Sequence, residues 1–420
     1  MEATQVSFKQ VVSRGCGLDV HKKVVVATID GEGIKKQTRE FDTITSSLKE
    51  LRDWLLENRI THVAMESTGV FWKPVYNVLE PAGLMVWIVN AAHVKYVPGH
   101  KTDKKDSAWL CKLLLAGLLK PSYIPAKEQR ELRDLTRYRA KLVQSNASNK
   151  NRIIRILEDA NIKLSSVLSS TSGVVGTKLI DKICEGKQIT MQDIDQVYHK
   201  KLGASKDEIF EACQGFVTAH HIYMLQLIRK EIDNTLRTIE SLDLRIKEVL
   251  SPYDNALELL KKVPGISAKS AEDLVAEIGL DMNVFPTEKH LASWAGMAPG
   301  NNESAGKKKS GRTTQGNKQV KAVLTEIAWA ATRTKNTFYH ARYHKLAARR
   351  GKKRALIAVG HSILKSVYHI LKDNCEYKEL GAEYLISRTE AKRKAYLKSE
   401  LSKLGYVVEL KELPKVEKAG

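Results

Sequence analysis

No stretch of the chain approaches the roughly 18 to 20 uncharged residues of a membrane-spanning helix. The polar start MEATQVSFKQ also lacks the apolar core of a signal peptide. A soluble, intracellular protein is expected. Cysteine is scarce, with five residues at Cys16, Cys111, Cys184, Cys213 and Cys375. Odd in number, scattered and without any C-x-x-C pair, they argue against a disulfide framework or a thiolate zinc site, and reduced thiols are expected. Acid is in short supply as well: 48 Asp and Glu face 69 Lys and Arg, a net charge of +21 at pH 7. A surface this basic selects a polyanion, and without a membrane segment that polyanion is nucleic acid.

What is present divides the 420 residues into parts. GCGLDVHKKVVVATID (15–30) reads as two strands around a polar turn, because Val24, Val25, Val26 and Ile29 are β-branched and the run is short. A helical stretch (46–57), a strand (61–68), a helix (71–80) and an apolar strand (84–90) follow. A helix from Asp103 to Leu119 is predicted, N-capped by Thr102 and stopped by Pro121. Alternating strands and helices imply an α/β domain over 1–125. From there to about 260 the pattern is helical, with a seam at Ile222, Leu225, Ile228, Ile232, Leu236, Ile239, Leu242, Ile246 and Val249. Such a seam pairs within one chain or across a dimer. Residues 165–215 read as an irregular insertion. LLKKVPGISAKSAEDLVAEIG (259–279) has helix-hairpin-helix grammar, in which a tight turn at Gly265 would aim N–H groups at phosphate; an ordinary helix corner is the alternative. Amphipathic helices follow at 318–331 and 354–373, then a charged tail over 376–420.

Positive charge concentrates in one window. Between Ser304 and Arg354 there are fifteen Lys or Arg, including Lys307, Lys308, Lys309, Arg312, Lys318, Lys321, Arg349, Arg350, Lys352, Lys353 and Arg354, against the single acid Glu326. A solvated face explains most charge runs, but this bias points to nucleic-acid binding. Trp329, Phe338, Tyr339 and Tyr343 are interleaved, to stack on bases or to fill the core, with core expected for Trp329.

Four acids stand out in the first domain: Asp19 in the first strand, Glu66 at the end of a later one, and Asp103 with Asp106 opening a helix. Three residues apart, the last two share a helix face, and the helix dipole favours their ionised forms. Phosphodiester chemistry needs charge neutralised on the entering and leaving oxygens, which paired Mg²⁺ ions about 3.5 to 4 Å apart on carboxylates supply. The order of these acids is the pattern of ribonuclease-H-like nucleases. Surface acids balancing Lys22, Lys23, Lys104 and Lys105 are the plainer account. The segment PGNNESAGKKKSGRTTQGN (299–317) reads as a long polar loop in which Ser304, or its rival Ser310, lies beside cationic residues. Attack by serine on phosphorus would conserve bond energy for rejoining strands. His340 and His344 are one turn apart, without an evident third metal ligand.

The opening GLDVHKK, the block MESTGVFWKPVYNVLEPAGLMVWIVNAAHVKYVPGHKTDKKDSAWL, the segment VPGISAKSAEDLVAEIG and the run FPTEKHLASWAGMAPGNNESAGKKKSGRTTQGNKQVKAVL together resemble the DEDD transposases of bacterial insertion sequences. The ending AKRKAYLKSELSKLGYVVEL is similar to the tail of the longer members. The resemblance implies a ribonuclease-H-like (RuvC-like) mixed-sheet domain over 1–125, a helical, coiled-coil middle over 126–255, and a mainly helical transposase domain with a helix-hairpin-helix over 256–375. It implies Asp19, Glu66, Asp103 and Asp106 as ligands of Mg²⁺, with two ions expected. It also implies Ser304 as nucleophile, although the family's E-S-G motif here reads Glu303-Ser304-Ala305-Gly306. Further implications are double-stranded DNA (element ends and target) and a noncoding guide RNA as partners, a homodimer or homotetramer with a composite site, and a bacterial cytoplasmic, nucleoid-associated location. A Holliday-junction-resolving endonuclease using metal-activated water needs the same acids but not Ser304. A noncatalytic nucleic-acid-binding protein needs neither.

Overall fold

Val24, Val25 and Val26 form the strand expected of them. In the computed structural model, β1 (Arg14–Val20) and β2 (Val24–Gly31) pair antiparallel around the turn at 21–23. The structure describes residues 10–67, 69–90, 103–300, 302–304, 307–310, 312–407 and 409; for 103–105, 302–304, 307–310, 386 and 388–392 it describes the backbone alone. The chain divides into two compact units, Met1–Pro125 and Ala126–Gly420.

In the first unit β3 (Gln37–Asp42), β4 (His62–Glu66) and β5 (Met85–Val89) complete a five-stranded sheet of order β3-β2-β1-β4-β5. β4 and β5 run parallel to β1, β2 runs antiparallel to it, and β3 runs antiparallel to β2 and so in the direction of β1. Nothing in the sequence pattern signals β3. Its residues QTREFD bury only Phe41, as suits an edge strand whose charges discourage further pairing. Side chains alternate between the faces of the sheet. Cys16, Leu18 and Val20 of β1, with Val63 and Met65 of β4, join the core covered by Leu48, Leu51, Trp54 and Leu55 of α1 (Thr45–Glu57) and by Val75 and Leu79 of α2 (Trp72–Leu79). On the other face Ala64 and Val89 meet Leu110, Leu113 and Leu114 of α3 (Asp103–Leu115). This helix ends one turn before the predicted Leu119, and the expected N-cap, Thr102, lies outside the described residues.

The second unit is mainly helical. α4 (Lys127–Asp159) and α9 (Ala219–Leu250) pack along each other within the chain. The seam buries Leu225, Ile228, Ile232, Ile239 and Ile246, but between Ile232 and Ile239 it uses Thr235, leaving Leu236 42% exposed. The 165–215 segment, expected to be irregular, instead forms short helices α5 (Leu164–Val167), α6 (Val174–Cys184), α7 (Met191–Val197) and α8 (Lys206–Ala212). Capping boxes at Thr190/Asp193 and Ser205/Glu208 start the last two. Leu179, Ile183, Ile194 and Ile209 give this region a core shared with Ile153, Leu157, Leu225 and Ile228.

A second core gathers α10 (Asp254–Lys261), α11 (Ala268–Ile278), α12 (Glu288–Trp294), α13 (Lys318–Ala331), α14 (Phe338–Arg350) and α15 (Lys352–Asp373). Between α12 and α13 the expected polar loop is a hairpin, β6 (Asn302–Ser304) against β7 (Lys307–Ser310). α16 (Glu383–Lys403) follows in the charged tail. Among the described residues no helix is long and apolar enough to cross a membrane.

Candidate functional site

The first unit places its acids through the backbone. The parallel register of β1 and β4 runs from Gly15↔His62 to Leu18↔Met65, so the next level sets Asp19 beside Glu66, the last residue of β4. Both sit on the face that carries α3. Gly15, Gly17 and Asp19 alternate along that face of β1, and the two glycines admit the helix. A Cβ on Gly17 would lie 2.1 Å from the Ser107 carbonyl oxygen and 2.4 Å from the Cys111 nitrogen, and one on Gly15 would lie 3.0 Å from Leu114 Cδ2. The helix therefore runs opposite to β1, with Leu114 over Gly15 and Ser107 over Gly17. One further step along the strand brings the first turn of α3, with Asp103 and Asp106, to the level of Asp19.

A ladder of hydroxyls holds that turn: buried Ser107 Oγ is 2.8 Å from buried Thr28 Oγ1 of β2, which is 2.9 Å from Oγ1 of the exposed Thr38 of β3. Cys111 Sγ donates to the Gly15 carbonyl at 3.3 Å, and burial pushes this thiol up to about 12. Cys16 is likewise raised by burial, and all five cysteines are free thiols.

Asp19 and Asp106 are half-buried, as is Glu66. Asp19 Oδ2 accepts a hydrogen bond from His21 Nε2 at 3.0 Å. Among the described residues no group of three or more His, Cys, Asp or Glu side chains gathers to hold a metal ion. Asp19, Glu66 and Asp106 thus do not form a closed ligand set by themselves, and the side chain of Asp103 lies outside the described residues. As hard oxygen donors, carboxylates at these positions match the chemistry of Mg²⁺.

In the second unit the hairpin pairs Asn302↔Ser310, Glu303↔Lys308 and Ser304↔Lys307, with a register shift after Asn302. Ser304 thus stands at the tip and Ser310 at the base. Their side chains, and those of Lys307, Lys308 and Lys309, lie outside the described residues, as do Ala305 and Gly306 entirely. The neck is closed by a Pro299↔Thr313 bridge, by Gly300 N–H donating to the Arg312 carbonyl at 2.8 Å, and by Thr314 N–H donating to the Ala298 carbonyl at 3.1 Å.

Known proteins match both regions. Residues 16–162 match a transposase family model, the DEDD type of IS110, and residues 257–344 match that of the transposase IS116/IS110/IS902 family. The chain belongs to this transposase family. It is also similar to the pilin gene-inverting protein of Moraxella bovis, 27% identical over 160 residues that cover 36% of this chain and 49% of that protein. The chain therefore spans about half the length of that curated relative.

The remaining candidates lie on the surface of the second unit. Arg349 and Arg350 end α14, Gly351 turns the chain at φ +81°, and Lys352, Lys353 and Arg354 open α15. All five cations are exposed, and none has an ion-pair partner among the described residues. Two of them suit the dipole at the end of α14, whereas the three at the start of α15 oppose it. Helix stability does not account for that cluster. Lys318 is exposed on the first turn of α13, Arg312 is exposed before it, and Lys321 Nζ donates to Thr313 Oγ1 at 2.6 Å in the hairpin neck.

The aromatic expectation is corrected. Trp329, expected in the core, is 46% exposed with the Arg333 guanidinium 4.8 Å from its ring centre, whereas Tyr339 and Tyr343 are buried. The α13 periodicity already contains the reason, since Val320, Leu324, Ile327, Ala328 and Ala331 make the buried stripe and Trp329 falls outside it. Gly265 adopts φ +91°, and a Cβ there would lie 2.5 Å from the Ile327 carbonyl oxygen, so the glycine is required for close packing on α13. In the turn after it Ile266 N–H bonds Val263 and Ser267 N–H bonds Ser270 Oγ, leaving Ala268 and Lys269 at the outer first turn of α11. His340 Nδ1 donates to the Thr332 carbonyl at 2.6 Å, which occupies that nitrogen. Gly15, Gly17, Thr28 and Ser107 were not singled out by sequence reasoning, although the alternation Gly-x-Gly-x-Asp over 15–19 is the signal that identifies the first two.

Proposed function

We propose that the protein is the recombinase of a bacterial insertion sequence, cutting and rejoining DNA strands. The observation that carries the reading is the shared level of Asp19, Glu66 and the first turn of α3 on one face of the sheet. The strand order supports a ribonuclease-H-like first domain. Asp19, Glu66, Asp103 and Asp106 would hold Mg²⁺, two ions in the full site. Bound there, the metal neutralises charge on the reacting phosphate. Ser304 Oγ forms the new bond to phosphorus as the bridging P–O bond of the departing strand breaks, leaving a phosphoserine ester for rejoining. Ser304 is favoured over Ser310 by its place at the hairpin tip.

The α10–α11 segment around Gly265 serves as a helix-hairpin-helix, with the first turn of α11 toward phosphate, and the hairpin and α14–α15 cations engage double-stranded DNA and a noncoding guide RNA. A homodimer or homotetramer is the working assembly, in the bacterial cytoplasm.

The deciding experiment traps covalent protein–DNA adducts on DNA carrying the element ends. The native chain is expected to give an adduct and Ser304→Ala none. An adduct that persists in Ser304→Ala moves the nucleophile to Ser310, and strand cleavage without any adduct in the native chain replaces the recombinase with a hydrolase using metal-activated water.

Changing Arg349, Arg350, Lys352, Lys353 and Arg354 to Gln tests the basic corner. The slope of log affinity against log salt is expected to shrink by about 0.9 for each of these cations that touches duplex phosphate. An unchanged slope removes the corner from the interface.

A further inference from the structure

Of the α11 carboxylates, Glu272 and Asp273 meet Arg139 of α4, and Glu277 is the most deeply buried, with a side chain only 3% exposed. Its Oε1 accepts from Arg137 Nε at 2.6 Å, and its Oε2 accepts from Arg137 Nη2 at 2.9 Å and from Asn317 Nδ2 at 2.7 Å. Hydrogen bonding to Glu277 raises the Arg137 guanidinium above its ordinary range. Arg133, also on α4, donates to the Ala276 and Glu277 carbonyls at the end of α11.

Asn317 works at both ends. Its Oδ1 caps α13 by accepting from Gln319 N–H at 2.9 Å and Val320 N–H at 3.3 Å, and its own N–H donates to the Trp294 carbonyl at 3.0 Å. Just before it Gly316 is wedged so closely that a Cβ would lie 2.2 Å from Gly296 nitrogen. The hairpin neck, with its bonds from Gly300 and Thr314, begins within a few residues of that wedge.

Desolvating an ion pair costs about as much as the pair returns, so an apolar contact would hold α4 to α11 as well. What an apolar contact cannot do is fix the direction of the Asn317 amide. We infer that Glu277, oriented by Arg137, is a positioning residue that clasps Asn317 and thereby sets the neck of the hairpin bearing Ser304. The effect on strand transfer rests on the serine reading above; the clasp itself does not.

Hydrogen exchange of the full chain without DNA separates the two. Asn317→Ser keeps an oxygen to cap α13 but is too short to reach Glu277, while Asn317→Ala removes both functions. Glu277→Gln offers one acceptor oxygen where the carboxylate offers two, so an amide N–H₂ must face donors from Arg137 or Asn317. In Asn317→Ser and in Glu277→Gln, exchange at the Gly300 and Thr314 amides is expected to quicken about tenfold or more, the loss of a hydrogen bond to a charged group. The Leu324 and Ala328 amides inside α13 keep their native rates, and the Gln319 and Val320 amides quicken only in Asn317→Ala. Native exchange at Gly300 and Thr314 in Asn317→Ser overturns the clasp. Equal acceleration inside α13 also overturns it, since Glu277 would then serve general stability alone. Adduct formation is expected to fall in step with the loosened neck. An adduct that persists in Ser304→Ala defeats the serine reading and leaves the exchange result to judge the clasp by itself.

Discussion

Asp19→Asn is expected to lower strand transfer by at least about 10³-fold, because a neutral amide forfeits the several kcal/mol of charge stabilisation that a metal-bearing carboxylate supports. The substitution is nearly isosteric, and Asp19 is half-buried at the end of β1, so the sheet has no reason to change. An amide oxygen at the same place still accepts the bond from His21 Nε2, so the local turn is preserved while the charge is lost. The exposed cations of the α14–α15 corner belong to the second unit, and DNA and RNA binding in gel-shift titrations is expected to stay within a few-fold of native. Strand transfer at the native rate by Asp19→Asn would defeat the proposal that carboxylates on this sheet face serve catalysis.

Gly17→Ala carries the largest expected loss of stability. Its Cβ would fall 2.1 Å from one backbone atom of α3 and 2.4 Å from another, and backbone atoms in the middle of a helix have no rotamer by which to withdraw. The helix must lift from the sheet, at a cost of about 3 kcal/mol or more. Lifting it also parts the Ser107–Thr28 and Cys111–Gly15 hydrogen bonds. Denaturant unfolding is the measurement. Gly203→Ala is the control, because a Cβ there meets nothing within 4 Å, and a change within about 0.5 kcal/mol is expected. Native stability in Gly17→Ala would show that α3 does not approach β1 so closely. Any protein that still folds with the change is expected to lose strand transfer as well, since Asp103 and Asp106 travel with the helix.

Much of the first unit was legible because its signals are local. The β-branched run of β2, the apolar run of β5 and the 3.6-residue period of α1 each state an element from within a few residues, and the predicted helix over 318–331 matches α13 end for end. Where the signal is weak or distant, reading failed. QTREFD has one buried residue and no alternation, so β3 is defined by the neighbour it pairs with. The short helices between 164 and 212 became visible only once the ends of α4 and α9 supplied the surface for Ile194 and Ile209. Trp329, expected in the core, is exposed because its position falls outside the buried stripe of α13.

By itself the sequence determined which residues are available for chemistry: acids on separate elements of the first unit, a serine beside lysines, and a basic window with one acid in it. Composition and local periodicity suffice for that, because charge and hydrophobic pattern are properties of the chain read in order. Only the tertiary structure decided which of them meet. The parallel register that levels Asp19 with Glu66, the two glycines that let α3 descend onto β1, and the joining of Arg137 and Asn317 through Glu277 depend on pairings between segments distant in sequence. Such contacts are set by close packing and hydrogen-bond geometry, which no local run of residues encodes.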